Sequence, residues 1–304
     1  MKKRIVCLFT AAVALLSIQG TAVLAQCPND AAFTIQDAVK DSLCVKRLIL
    51  KLRKMEQLPA TVGMLRNVEM IDLQKNKFVA LPDELCTLTK ATYLNASYNN
   101  LKRLPQSLGN LGNLHTLQLD KNHLVELPPS IEQLGLLKIL DVSYNDLASL
   151  NEGIGELKKV SVFNASHNHL LFLPDNMGGM SAMEFLDLSH NQLTALPAGI
   201  AGMQQIKELN VQNNKLSSLP PTIGELKTLK FLGLGNNALV ALPKSIGTLS
   251  SLEMLILSDN QLKTLPPSIK KLKNLKTLIA INNQFSEKTK ARIRRWLPQT
   301  NITF

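Results

Sequence analysis

The sequence predicts an α/β solenoid, a stack of short coils with one parallel sheet along one side. Three observations predict it. A leucine pattern returns every 23 residues without insertion or deletion. Each unit carries a Leu-x-Leu alternation of period two, as a half-buried strand does. Aromatic residues are only 4% of the chain while 45% is hydrophobic, so the core is built from a repeated small unit rather than from a few large rings. The 304 residues would otherwise suggest two globular domains, but an array overrides that expectation.

The pattern Leu-x-x-Leu-x-Leu-x-x-Asn-x-Leu starts at Val45, Val68, Ala91, Leu114, Leu137, Val160, Met183, Ile206, Leu229, Leu252 and Leu275, giving eleven coils. The ninth position is Asn in ten of them, from Asn76 to Asn283; the first carries Arg53. Its amide can bond backbone groups of neighbouring coils and make a ladder down the stack. Leu-Pro follows in nine coils, and the fifth has Leu150-Asn151 instead. Proline fits a segment that owes no sheet hydrogen bond. Gly63, Gly109, Gly155, Gly178, Gly224 and Gly247 recur beyond it and are expected at a turn. One unit cannot bury its own leucines, whereas stacked units share a continuous core.

Over residues 45–285 this pattern resembles the leucine-rich-repeat family, of the subtype with Leu-Pro-x-x-Ile-Gly-x-Leu in the second half of each repeat, as in exported bacterial members. The resemblance implies a horseshoe whose parallel strands line the concave side. It also implies a module that binds a protein or peptide there, without catalysis or cofactor.

The ends differ from the repeats. Lys2, Lys3 and Arg4 precede an apolar run from Ile5 to Ile18, and Val23-Leu24-Ala25 offers small residues to a signal peptidase, so 1–25 is read as a signal peptide. The run is shorter than the roughly 20 residues of a spanning helix, and no later segment is long and apolar enough to span a bilayer. Lipidation of Cys27 is the alternative, although Gln26 stands where a small residue is wanted. A secreted, periplasmic or cell-surface location, in a bacterium, is expected. Residues 26–44 are read as an N-terminal cap, helical through 31–43, and 286–304 as a C-terminal cap whose helix starts at Ser286. Exported thiols can oxidise. Cys27 and Cys44 are the favoured pair, and Cys86 is expected to be buried.

On the concave side the third, fifth and seventh positions of each coil point outward. The third column includes Met70, Tyr93, Phe185, Glu208 and Phe231; the fifth includes Asp72, Asp141 and Asp187; the seventh includes Asp120 and several serines. An apolar stripe beside a polar one suggests a binding surface. These nine residues are its candidates. Gly233 and Gly235 leave a bare spot beside Phe231 that a partner side chain could enter, or else an unused surface.

Net charge is +11, and about +8 without Lys2, Lys3 and Arg4. From the second coil on, the three columns hold five acids and no Lys or Arg. Phosphate contacts need cations on the docking face. A polynucleotide is therefore not expected there, and a protein or peptide with apolar and basic groups is. A monomer is expected. The positive charge falls on strand margins, convex segments and the terminal helix. This allows a second role, an envelope-associated structural protein meeting anionic lipid or glycan through its basic convex side. His167 and His190 share one column near Ser166, Asp187 and Ser189. The repeat itself gathers these types, so no triad and no metal site is assigned to them.

Overall fold

The computed structural model describes Cys27 and residues 30–304; the signal segment 1–25 lies outside the described residues. Among the described residues thirteen parallel strands form one sheet in chain order. β1 is Ala31–Ala32, β2 is Arg47–Ile49, β3 is Met70–Asp72 and β4 is Tyr93–Asn95. β5 (Thr116–Gln118), β6 (Ile139–Asp141), β7 (Val162–Asn164) and β8 (Phe185–Asp187) follow. β9 (Glu208–Asn210), β10 (Phe231–Gly233), β11 (Met254–Ile256), β12 (Thr277–Ile279) and β13 (Asn301–Thr303) complete it. From β2 to β12 each strand pairs with the next at a constant offset, Arg47 with Met70 and Met254 with Thr277.

Opposite the sheet run short 3-10 turns such as Ala60–Met64 and Asp83–Thr87. The proline of Leu-Pro caps most of them at φ near its fixed value, −62° at Pro59 and −73° at Pro82. It lacks only an N–H that a helix start leaves unpaired. The middle residues of the strands, from Leu48 through Phe163 to Leu278, are buried. They meet the buried leucines of the turns in one core that runs the length of the stack.

Three details depart from the sequence reading. The first concerns the glycines. None of the described glycines has a positive φ, so turn conformation is not their reason. They sit where neighbouring 3-10 turns touch: a Cβ on Gly178 would fall on the carbonyl of Gly199, and one on Gly247 on that of Ser268. The left-handed backbone belongs instead to the eighth position of each coil, filled by Lys75, Tyr98, Lys121, Tyr144, His167, His190 and their successors at φ near 55°.

The second is the N-terminal end. The helix α1 spans only Ile35–Lys40, with Thr34 accepting from the Asp37 amide. β1 precedes it because the open edge of β2 needs partners: the amides of Lys46 and Arg47 both donate to the Asp30 carbonyl. Cys27 and Cys44 are joined, with Cα atoms 5.2 Å apart, and Cys86 is free and buried.

The third is the C-terminal end. Helix α2, Glu287–Trp296, starts at Ser286, whose hydroxyl accepts from the Thr289 amide at 3.2 Å. It buries Thr289 and Ile293 and leaves Ala291 exposed. β13 then covers the edge of β12, with Asn301 beside Thr277. An exposed sheet edge invites association, and at both ends a short strand occupies it.

Candidate functional site

Period-two alternation turns the flanks of each strand outward, and the structure places all nine candidate residues on that face. Four come together. Glu208 pairs in register with Phe185 on one side and Phe231 on the other. With Asp187, Val162 and Asn210 these three line an open hollow of about 420 Å³. Phe185 and Ile139 are more than a third exposed, at 36% and 38%. Among the described residues, neither Asp187 nor Glu208 has a cation within ion-pairing distance; Lys207 near Phe185 is paired to Glu184 at 2.6 Å.

The other five lie towards the N-terminal half and are more constrained. Tyr93 is half-buried, and its hydroxyl donates to Gln118 Oε1 (2.7 Å) and accepts from Asn95 Nδ2 (3.2 Å). Asp72 is buried, its Oδ1 taking the Gln74 amide, and Lys51 stands 3.9 Å away. Asp120 accepts from the Ser97 hydroxyl. Asp141 Oδ1 takes both the amide and the hydroxyl of Ser143, at 2.9 and 2.7 Å. Burial nevertheless pushes its carboxyl above the usual range. Met70 is half-buried beside Tyr93.

The fifth column thus has a structural duty that the sequence reading did not assign. Asp72, Asn95, Asp141, Asn164, Asp187 and Asn210 each accept the amide two residues on, closing the exit from the strand. In the aspartates a second oxygen remains: Asp187 Oδ2 accepts from Asn210 Nδ2 of the next coil at 3.2 Å, and Asp72 Oδ2 stands 3.9 Å from Lys51. The bare spot expected at Gly233 and Gly235 is filled: both are buried, and the side chains of Asn210 and Gln212 lie against them.

The Asn ladder lies under the rim. Asn168 Nδ2 donates to the carbonyls of Val142, Ala165 and Ser166, and its Oδ1 accepts from the Leu147 amide at 3.0 Å. The same bonds recur at each step from Asn76 to Asn283.

A second feature escaped the sequence reading: the eighth column stacks. Tyr144, His167 and His190 lie face to face, with centroids 4.0 Å apart at each step. Lys121 Nζ donates to Tyr98 Oη at 2.8 Å and sits 4.4 Å from that ring and 5.2 Å from Tyr144. That hydrogen bond raises the Lys121 pKa. Burial, and then the neighbouring His190, hold His167 below its usual value. The constant step was the signal, since it puts equal positions side by side. His190 Nε2 faces Asn213 Nδ2 at 3.1 Å. Among the described residues no group of three or more His, Cys, Asp or Glu is arranged to hold a metal ion. No helix among them is long and apolar enough to cross a membrane.

Parallel in-register strands, a buried Asn ladder and 3-10 returns define a repeat protein, and family comparison agrees. Leucine-rich-repeat profiles match residues 66–124, 112–170, 182–203, 205–226 and, as a leucine-rich repeat region, 221–290. The chain belongs to the leucine-rich-repeat family. A leucine-rich-repeat protein of Leptospira interrogans is 34% identical, with a TM-score of 0.68 over 86% of this chain and 72% of that one. A plant peptide hormone receptor solved in complex with RGF2 is 27% identical at a TM-score of 0.72, over 81% of this chain but 41% of the receptor. The functional domain of a Listeria monocytogenes internalin, InlJ, shares the fold at 20% identity and a TM-score of 0.72, over 87% of this chain and 54% of its own. Comparison with curated protein sequences matches no relative.

Proposed function

We propose that this chain is an exported, non-catalytic module that binds a protein or peptide on its concave face, centred on coils six to nine. The carrying observation is the hollow in which Glu208 stands between Phe185 and Phe231 with no neutralising cation. Aromatic surface supplies apolar contact, and unpaired carboxylates favour a partner with basic groups. Met70, Asp72, Tyr93, Asp120 and Asp141 extend the surface towards the N-terminal end. Their side chains are largely engaged within the fold, so they contribute shape and field more than anchoring. The plant receptor supports a peptide ligand, being a complex with RGF2. Export rests on the basic and apolar N-terminus, and an oxidised Cys27–Cys44 pair is consistent with it. The module acts as a monomer.

The test is retention of partners from host or envelope extract by the mature protein and by a Tyr93→Ala/Phe185→Ala/Phe231→Ala variant of unchanged circular dichroism. A partner held by the first and lost by the second supports the reading. Equal retention by both, or by neither, refutes it.

A further inference from the structure

Positive charge is sorted along the axis of the stack rather than spread over its back. Of 34 Lys and Arg, three lie in the first four residues and ten lie at or beyond Lys263. Of 23 Asp and Glu, only Glu287 lies there. The stretch between holds 21 cations against 22 acids and is close to neutral. Nearly all the net charge of the folded part therefore sits on the last two coils and α2. Among the described residues, only Lys276 and Lys290 of this group have a carboxylate within 4 Å, Glu253 and Glu287. So many like charges, mostly unpaired, raise a local potential that attracts anions.

The cluster also has a cavity. Between the last 3-10 turn (Pro267–Lys271) and the end of α2 lies an open hollow of about 220 Å³, lined by Lys270, Lys273, Trp296, Gln299 and Thr300. Trp296 is half-buried and is the only tryptophan in the chain. The Arg292 guanidinium lies 5.2 Å from its ring. An aromatic ring beside two free amines and an amide combines a stacking surface with anion and hydroxyl recognition. The volume is below the roughly 300 Å³ where drug-sized sites begin and suits one ring at a time.

We infer that this C-terminal pole binds an acidic polysaccharide, with a sugar ring against Trp296 and its carboxylate or sulfate at Lys270 and Lys273. A lipid surface fits less well. α2 turns its large aliphatic residue, Ile293, into the core beside the buried Thr289, and its exposed side shows Lys288, Ala291, Arg294 and Arg295, with no large apolar residue to enter a bilayer. A single-stranded nucleic acid wants a row of stacking platforms, and this hollow is lined by one ring, Trp296. The inference does not depend on the concave-face reading, since the two surfaces share no residue.

The sole tryptophan makes the test direct. The mature chain is titrated with oligouronate while Trp296 emission is followed, with neutral dextran oligosaccharide as control. A saturable change with the uronate alone, reversed by salt, is expected. Lys270→Ser/Lys273→Ser, at two exposed positions, weakens it about tenfold, as loss of two surface charge contacts implies. Arg66→Ser/Lys102→Ser, far along the stack, leaves it unchanged. Emission unmoved by the uronate, or an unchanged titration in the Lys270/Lys273 variant, overturns the inference. So does a stronger response to phosphatidylglycerol vesicles or to single-stranded DNA, which would assign the pole to that ligand.

Discussion

Replacing Asn168 by alanine removes one rung of the ladder that ties each coil to its predecessor. The Asn168 side chain is 4% exposed and makes four hydrogen bonds. Two of them cross to the preceding coil, one to the Val142 carbonyl and one from the Leu147 amide. The Val142 oxygen keeps a second donor, Asn145 Nδ2 at 3.0 Å, whereas the Leu147 amide is left with none. An orphaned buried N–H costs about 1–3 kcal/mol, and the bond lost at Val142 adds about 1 kcal/mol. The expected destabilisation is about 3 kcal/mol. It falls on one interface, because each coil touches only its neighbours. Urea denaturation followed by circular dichroism measures the total, and hydrogen exchange at the Leu147 amide reports the site. Asn100→Ala is the control, at an exposed position whose side chain makes no hydrogen bond with the described residues. If the two variants lose equal stability, or if Leu147 stays protected, the ladder is not what couples the coils.

Two further outcomes follow from the packing and the stacked column. Gly178→Ala should lose about 1–3 kcal/mol, since its Cβ has backbone in its way. Gly135→Ala, with nothing within 4 Å, should lose nothing; equal melting temperatures for the two would show that the 3-10 turns are free to shift. Because His167 is held below its usual pKa, the fold prefers its neutral form. Its contribution is complete above the unfolded value of about 6.5 and declines as pH falls below that. Between pH 7.5 and 5.5 the melting temperature should drop more in the parent than in His167→Asn. Asparagine already occupies this left-handed position at Asn213 and Asn236. Parallel curves would count against the assignment.

The strands were legible because leucine spacing alone fixes which backbone pairs with which, and Arg47, Met70 and Tyr93 fall where the column arithmetic puts them. β1 and β13 were not legible. Ala31-Ala32 and Asn301-Ile302-Thr303 carry no leucine pattern, and the unpaired backbone of a sheet edge recruits them. The outward direction of the candidate side chains followed from alternation. Their depth did not: Asp72 is buried while Glu208 is exposed at a neighbouring column, because depth depends on the bulk of residues 23 positions away on either side. Gly178 misled for a similar reason, since its constraint lies in the adjacent coil and not in its own φ.

Strands in a sheet stand about 4.8 Å apart, whereas extended polypeptide advances about 3.3 Å per residue. A peptide lying along the groove therefore slides out of step with the coils and returns to phase after about three residues, the width of two coils. Phe185 and Phe231 are separated by that interval, with Glu208 midway. On the proposed function, a ligand lying there would meet Phe185 and Phe231 with side chains about three residues apart and Glu208 between them, a spacing that puts both on one face in a polyproline-II-like peptide of three residues per turn.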